Sequence, residues 1–284
     1  MRAEQWSAVV THHGEGPGWD PHARRLRIVD QLAGDLVTLA PDGTVEERRH
    51  LGAVLAAWRP RRAGGLVLAV ERGFALLGTD GTLTTGPEQW TDPTIRMNDG
   101  ACDPSGAFYC GSMAYDARPG AARVHRLAPD GTTSVAHTGV TVSNGLVWAA
   151  DGTFAYYTDT ATGTVSRVTA DPESGRFTDV APWVSVDPAT GAPDGIALDA
   201  EGGVWVALWG GSAVHRYTPD GTLDAVVAVG ARQVSACAFG GDDGGTLYLT
   251  TSRQHLTADE DPAAGAVFAV RPGVTGHPLS AYAG

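Results

Sequence analysis

The sequence predicts an all-β fold, a six-bladed β-propeller of four-stranded antiparallel blades, on three observations. Short apolar or alternating runs are separated throughout the chain by turns that contain Asp, Gly and Pro. Two kinds of β-hairpin alternate and repeat about every 38 to 52 residues, the length of a propeller blade. No stretch shows sustained helical periodicity. Because no long structureless insert interrupts the repeats, we expect a single domain spanning residues 1–284.

One hairpin of each repeat has alternating strands around a turn that is rich in Asp and Gly. Its six copies are marked by residues 35–43, 74–81, 124–131, 165–175, 214–221 and 267–273. Asp and Gly are the residues that such turns require, because they tolerate positive φ. The alternation predicts that the arginines of these strands face solvent, namely Arg123, Arg126, Arg167 and Arg216.

A second, more apolar hairpin precedes each of these copies. It lies at residues 18–29, 57–70, 101–111, 147–158, 197–208 and 238–251. Strands buried on both faces are rich in apolar residues, so we expect these strands to be the inner ones. The segment Trp6–Val10 precedes the first inner strand. We expect it to pair into the last blade, which removes a sheet edge.

Composition excludes several classes of function. The formal net charge is −12 and every basic residue is Arg, which argues against nucleic acid and anionic membranes as partners and excludes a Schiff-base lysine. There is no apolar run of about 18 residues and no secretory signal at the N-terminus, so we expect a cytoplasmic protein. The three cysteines form no CxxC pair and are expected to be reduced.

Polar residues occur at four of the six places where the inner strands begin. In a propeller these strand entrances surround one mouth of a central channel. The four polar entrances carry Glu15, Asn98 with Asp99, Asn144 and Asp194, each followed by Gly directly or after one residue. The second and sixth entrances, at residues 51–54 and 234–236, are small and apolar or neutral.

Two interpretations of these polar entrances compete. Asn-Gly and Asp-Gly are common turn dipeptides, which explains any one of them. Glu15, however, is a poor turn former between two glycines, and polar residues recur at four equivalent positions. Two carboxylates buried together are costly without a compensating cation, and two carboxylates with one amide suit a hard divalent ion. The absence of His and Cys from this set argues against a structural zinc site.

The chain resembles the regucalcin/gluconolactonase (senescence marker protein) family of six-bladed propellers. The matching stretches lie at residues 14–19, 96–100, 103–106, 111–113, 143–146, 193–195, 199–202, 239–241 and 280–284. They follow one another in order over essentially the whole chain. The resemblance implies a metal-dependent lactonase, a carboxylic ester hydrolase that opens a sugar lactone such as gluconolactone.

Carried over position by position, the resemblance also implies roles for five residues. Glu15, Asn144 and Asp194 would bind one divalent ion, and Asp194 would also act as the catalytic base. Arg96 and Asn98 would hold the substrate.

A further acidic substrate contact, found in some members of the family, has no clear match in residues 114–119. Asp116 and Tyr115 are the candidates to replace it. The identity of the ion stays open among Ca, Zn, Mg, Mn and Fe(II), because oxygen ligands accept several metals.

The chemistry is consistent with this family. A divalent ion polarises the lactone carbonyl, and a neighbouring carboxylate takes a proton from the attacking water. There is no GxSxG or HExxH motif to support a serine hydrolase or a zincin. The alternatives are a related metal-dependent esterase or phosphotriesterase, a calcium-binding regulatory protein, and an interaction scaffold.

Overall fold

The computed structural model describes residues 1–284, and its 24 strands form six four-stranded antiparallel sheets. Each sheet is one blade, so the fold is the predicted six-bladed β-propeller. Three short 3-10 helices are the only helical segments, at Gln31–Ala33, Thr160–Thr162 and Pro188–Thr190. None of them has the length and apolar character needed to cross a membrane.

The N-terminal strand is β1 (Glu4–Val9). Blade one contains β2 (Gly14–Asp20), β3 (Arg25–Asp30), β4 (Asp35–Leu39) and β5 (Val45–His50). Blade two contains β6 (Leu55–Pro60), β7 (Leu66–Val70), β8 (Gly73–Leu77) and β9 (Leu83–Glu88). Blade three contains β10 (Ile95–Cys102), β11 (Phe108–Ala114), β12 (Ala122–Leu127) and β13 (Thr133–Val140). Blade four contains β14 (Ser143–Trp148), β15 (Ala155–Asp159), β16 (Thr164–Ala170) and β17 (Phe177–Ser185). Blade five contains β18 (Ala192–Leu198), β19 (Val204–Trp209), β20 (Ala213–Tyr217) and β21 (Leu223–Ala228). Blade six contains β22 (Val234–Gly240), β23 (Thr246–Thr251) and β24 (Ala266–Val270), completed by β1.

The first of two compact units comprises Met1–His50 and Val186–Pro278 and contains blades one, five and six. Within it, the first strand of blade six contacts the first strands of blades one and five. The N-terminal strand β1 pairs antiparallel with β24, with Glu4 opposite Ala269. This pairing confirms the prediction that the N-terminal segment completes the last blade.

The second unit comprises Leu51–Ser185 and Leu279–Gly284 and contains blades two, three and four. Its inner strand β10 contacts both β6 and β14. The end of the chain is held by Tyr282, which is buried and whose hydroxyl donates to the Ala128 carbonyl at 2.9 Å. The Tyr282 N–H donates to the Pro60 carbonyl at 2.8 Å, so the C-terminal segment joins blades two and three.

Burial decreases from the first to the last strand of a blade. Every residue of β22 is buried, whereas β5 is almost entirely exposed. This confirms the assignment of the apolar hairpins to the inside. Among the arginines predicted to face solvent, Arg123 and Arg167 are exposed and Arg126 is half-buried. The prediction is wrong for Arg216, which is buried because its guanidinium neutralises the buried carboxylate of Asp199 at 2.7 Å.

Each inner strand carries a β-bulge near its start. In blade four, Ser143 pairs with Asp159 and Leu146 pairs with Tyr157, so β14 contains one extra residue. The same irregularity occurs in all six blades, and the residues at or directly before the bulge are Glu15, Ala56, Asn98, Asn144, Asp194 and Ser235. We call these six the entrance positions. Bulges re-aim side chains and are common beside active sites.

The second entrance lies later in the chain than the sequence suggested. Residues 51–54 precede β6, and the bulge of that strand falls at Ala56. Ala56 lies between the apolar residues Leu55 and Ala57, so no polar residue in the sequence indicates the position of this bulge. The prediction for the sixth entrance, at residues 234–236, is confirmed by the bulge at Ser235.

Candidate functional site

The four predicted polar entrance residues are buried and occupy equivalent positions in their blades. Glu15 and Asp194 are each 4% exposed, and Asn98 and Asn144 are each 5% exposed. All four lie within inner strands and not in the turns between strands. Interpretation of these residues as simple turn formers is therefore wrong.

A hydrogen-bonded network in the second unit is centred on Asn98. Arg96 Nη1 donates to Asn98 Oδ1 at 2.7 Å and to the Met97 carbonyl at 3.0 Å. Asn98 Nδ2 donates to Asn144 Oδ1 and to the Ser143 carbonyl, both at 2.8 Å. The structure thus brings together three of the predicted site residues, Arg96, Asn98 and Asn144, on β10 and β14.

Arg96 and the Ser143 carbonyl determine the direction of this network. A guanidinium only donates and a carbonyl only accepts, so Asn98 Oδ1 faces Arg96 and Asn98 Nδ2 faces Ser143. Asn144 Oδ1 then accepts from Asn98, while Asn144 Nδ2 donates to Thr160 Oγ1 at 2.7 Å. An amide oxygen has two lone pairs, so Asn144 Oδ1 retains one acceptor direction for a ligand.

Aspartates at the ends of two second strands hold the loops that lead to Asn144 and Glu15. Asp159 accepts from two consecutive backbone N–H groups before β14, at 3.0 and 2.9 Å. Asp30 accepts from two consecutive N–H groups before β2, both at 3.0 Å. Each carboxylate therefore fixes the path of the chain into its entrance, because a charged acceptor strengthens both hydrogen bonds.

Glu15 lies between two glycines with different structural roles. A Cβ at Gly14 would lie 2.6 Å from Thr11 Oγ1 and 2.9 Å from the Thr251 carbonyl, so only glycine fits there. Gly16 has a φ of +51°, and its N–H donates to Glu15 Oε2 at 3.2 Å. The close approach and the positive φ together account for the Gly-Glu-Gly sequence.

Asp194 lies in β18 and is followed by Gly195. A Cβ at Gly195 would lie 2.5 Å from Ala236 Cβ, so this glycine allows β18 to approach β22. The Asp-Gly dipeptide here serves the packing of two inner strands of the first unit and does not form a turn.

The donor chemistry of Glu15, Asn144 and Asp194 fits a hard divalent ion. All three side chains offer oxygen atoms, and burial disfavours an uncompensated carboxylate. No group of three or more His, Cys, Asp and Glu side chains is placed to hold a metal ion. The predicted set has two carboxylates and one amide, and its role as a metal site stays a prediction.

Of the two candidates to replace the acidic substrate contact, Tyr115 lies beside Arg96. The Arg96 guanidinium is 5.8 Å from the centre of the Tyr115 ring. Asp116 is exposed and its Oδ1 accepts from the backbone N–H of Arg118 at 3.3 Å. The Tyr115 hydroxyl donates to Glu71 Oε1 at 2.8 Å.

Sequence reasoning missed Glu71 and Thr160. Glu71 belongs to the β7–β8 turn of blade two, and its backbone carbonyl accepts from the N–H of Met97 at 2.7 Å, which places it beside the entrance of blade three. No local motif signals this contact, because its two halves come from different blades. The position of Thr160 gave only a weak indication of its contact with Asn144, because it directly follows Asp159 at the end of β15.

Comparison with known proteins decides the family. A family model described as "SMP-30/Gluconolactonase/LRE-like region" matches residues 13–253. The chain belongs to this family. This confirms the family identified from the motifs, and the match includes all five predicted site residues.

Other members of the SMP-30/gluconolactonase family are similar over nearly their full length. Pentonolactonase XacC of Haloferax volcanii is 34% identical over 272 residues, 93% of this chain and 92% of that protein. The 6-deoxy-6-sulfogluconolactonase of Pseudomonas putida is 33% identical over 279 residues, 95% of each chain. The crystal structure of a calcium-binding regucalcin from Agrobacterium tumefaciens has a TM-score of 0.89 and 30% identity, and the match covers 96% of this chain and 94% of that one.

Proposed function

We propose that the protein is a divalent-metal-dependent lactonase that hydrolyses a sugar (aldono-) lactone. Two relatives with at least 33% identity are named as lactonases of sugar-derived substrates. The observation that carries the proposal is the buried Arg96–Asn98–Asn144 network, because it aligns polar groups at the inner-strand entrances. A buried polar network of this kind is typical of a small-molecule site.

We propose that Glu15, Asn144 and Asp194 hold the ion, which is one of Ca, Zn, Mg, Mn or Fe(II). Their equivalent strand positions, their burial and their oxygen donors support this assignment. When bound, the ion supplies a Lewis acid that draws electron density from the lactone carbonyl. Asn98 orients the Asn144 amide so that its oxygen is available to a ligand.

The remaining chemistry is assigned to Asp194 and Arg96. Asp194 accepts a proton from the attacking water as the water oxygen bonds to the carbonyl carbon. The ring C–O bond then breaks, and the same proton is returned to the departing ring oxygen, so that an aldonic acid is released. Arg96 and Asn98 orient the sugar hydroxyls, for which the planar guanidinium provides directional donors.

The test is a panel of sugar lactones assayed by proton release, with correction for spontaneous hydrolysis. We expect a chelator to abolish turnover and one of the five divalent ions to restore it. Turnover unchanged by a chelator at saturating concentration contradicts metal dependence. No turnover on any lactone with any of the ions contradicts the lactonase assignment.

The similar solved structure described as calcium-binding favours one alternative, a calcium-binding regulatory protein. The two functions differ in one measurable respect. A regulatory protein binds calcium, as calorimetry would show, but turns over no lactone. The lactonase requires both binding and turnover.

A further inference from the structure

A cluster of three side chains from blades two and three surrounds the predicted substrate residue Arg96. Tyr115 stacks its ring near the Arg96 guanidinium, at 5.8 Å, and donates its hydroxyl proton to Glu71 Oε1 at 2.8 Å. Glu71 Oε2 accepts from Arg72 Nη1 at 3.2 Å. The cluster is therefore a chain of charge-assisted contacts, Arg96–Tyr115–Glu71–Arg72.

Backbone hydrogen bonds place this cluster at the entrance end of its blades. The Met97 N–H donates to the Glu71 carbonyl at 2.7 Å, and the Tyr115 N–H donates to the Thr94 carbonyl at 2.9 Å. Met97 directly precedes Asn98, whose amide contacts Asn144. Main-chain hydrogen bonds thus fix the backbone of Glu71 and Tyr115 beside the polar network.

The cluster remains accessible to a ligand. Tyr115 is 49% exposed, and the Glu71 side chain is 28% exposed. Burial, followed by the hydrogen bond to Glu71, raises the pKa of Tyr115 to about 12, so the hydroxyl stays protonated and donates. Each Glu71 oxygen accepts one of these hydrogen bonds, and a carboxylate oxygen has room for a second.

The charges of the cluster are balanced. Arg96 and Arg72 are the cations, and Glu71 and Glu88 are the anions, with Glu88 Oε1 accepting from Arg72 Nη2 at 2.5 Å. Removing the Glu71 charge leaves a net positive charge beside Arg96. The Glu71 carboxylate therefore opposes an anionic ligand group at this place, and its oxygens favour a hydroxyl donor.

We propose that Glu71, oriented by the Tyr115 hydroxyl, is a specificity-determining residue that selects a neutral polyhydroxy ligand and rejects a ligand with a distal anionic group. A ligand hydroxyl donates to the carboxylate, while a carboxylate or sulfonate there meets a like charge. This inference rests on the proposed function for its kinetic test. It also makes a prediction for binding alone.

The kinetic experiment compares D-glucono-1,5-lactone with a lactone of glucaric acid, which carries a terminal carboxylate. In Glu71→Gln we expect kcat/KM for the neutral lactone to fall about fivefold and that for the anionic lactone to rise about threefold, because one opposing charge is removed. In Tyr115→Phe, which keeps the ring over Arg96, we expect a loss of about threefold on the neutral lactone and no gain on the anionic one.

Two matched controls separate a direct contact from a general charge effect. Glu88→Gln removes the same charge from the same Arg72, but from the outermost strand β9. Asp116→Asn removes the other acid near Tyr115. We expect both to leave the ratio of the two kcat/KM values within about twofold of the wild type. An equal shift in either control overturns the assignment to Glu71.

A binding measurement does not depend on turnover. Calorimetry on the metal-free protein compares D-gluconate with D-glucarate, which carries a second carboxylate at the opposite end of the same carbon chain. We expect Glu71→Gln to shift the ratio of the two Kd values about tenfold toward glucarate. A lactonase whose lactone selectivity and Kd ratio are both unchanged by Glu71→Gln overturns this inference alone. A protein inactive on all lactones but with a shifted Kd ratio overturns the proposed function alone. Circular dichroism and Tm establish that each variant is folded.

Discussion

The Asp-Gly dipeptide occurs in two different structural environments in this fold. Asp-Gly occurs in the turns between strands, as at Asp130 and Asp151, and again at the inner-strand entrance Asp194. In the turns, Asp130 Oδ1 accepts from Thr132 N and Oγ1 at 2.9 and 2.7 Å, and Asp151 does the same with Thr153. Asp194 instead lies within a strand and is buried.

The residue after the glycine distinguishes the two environments. Five exposed turns read Asp-Gly-Thr, with their aspartates at positions 42, 80, 130, 151 and 220, and a sixth at Asp243 reads Asp-Gly-Gly. The entrances read Asn-Gly-Leu at Asn144 and Asp-Gly-Ile at Asp194. Threonine closes a turn through its N–H and hydroxyl, whereas the apolar residue continues a buried strand. These threonine hydrogen bonds lower the pKa of Asp130, so the turn carboxylate is charged and already satisfied.

The largest expected effect is a loss of activity when the entrance aspartate Asp194 is substituted, compared with the same substitution of a turn aspartate. Asp194→Asn should lower kcat/KM for a sugar lactone about a thousandfold, since it removes the proposed base while keeping the shape of the side chain. Asp151→Asn makes the same substitution in a turn and should leave kcat/KM within about twofold. Steady-state kinetics with circular dichroism on both variants tests this. A wild-type rate in folded Asp194→Asn shows that the base has been assigned incorrectly.

A second prediction shows that burial of a carboxylate does not by itself indicate a functional site. Asp199 is fully buried, and its Oδ2 accepts from Arg216 Nε at 2.7 Å and from Trp205 Nε1 at 2.9 Å. Asp199→Asn should destabilise the fold by about 2 kcal/mol, because the neutral amide weakens the charge-assisted hydrogen bonds from Arg216 and Trp205, although Glu201 and Asp224 still pair with Arg216. Activity at a temperature below unfolding should be retained.

The pH dependence of that variant follows from the pKa of Asp199. Burial acts to raise this pKa, but the hydrogen bonds from Arg216, Trp205 and Gly203 outweigh it and the pKa is lowered. A carboxylate whose pKa is lowered in the folded state stabilises the fold at pH values above its ordinary pKa of about 3.9. This stabilisation is lost as the pH falls through the pKa of the folded state. The Tm difference between wild type and Asp199→Asn should therefore be full at neutral pH and shrink below about pH 4. A difference independent of pH contradicts the role of the charge.

The sequence predicted those features of the fold that follow from short-range patterns of apolar, polar and turn residues. The hairpin repeat determined the number of blades, and the segment Trp6–Val10 was correctly placed in the last blade because an unpaired edge is unfavourable. The burial of Arg216 could not be predicted, since alternation identifies the face of a strand but not the partner that covers it. The same limit applies to Glu71, whose contact with Tyr115 joins two blades.

The smallest expected effect concerns the orientation of Asn144. Its Nδ2 donates to Thr160 Oγ1 at 2.7 Å, which helps to keep Oδ1 in place as a proposed metal ligand. Thr160→Val removes that acceptor at nearly constant volume and should weaken metal affinity about tenfold, as loss of an outer hydrogen bond to a ligand does. Thr160→Ser should restore it, and Thr153→Val, in the Asp-Gly-Thr turn at the other end of β15, should leave it unchanged. Calorimetric titration of the metal measures all three. A change in Tm of Thr160→Val without a change in metal Kd would assign Thr160 to the fold alone, because only the orientation of Asn144 connects this hydroxyl to the ion.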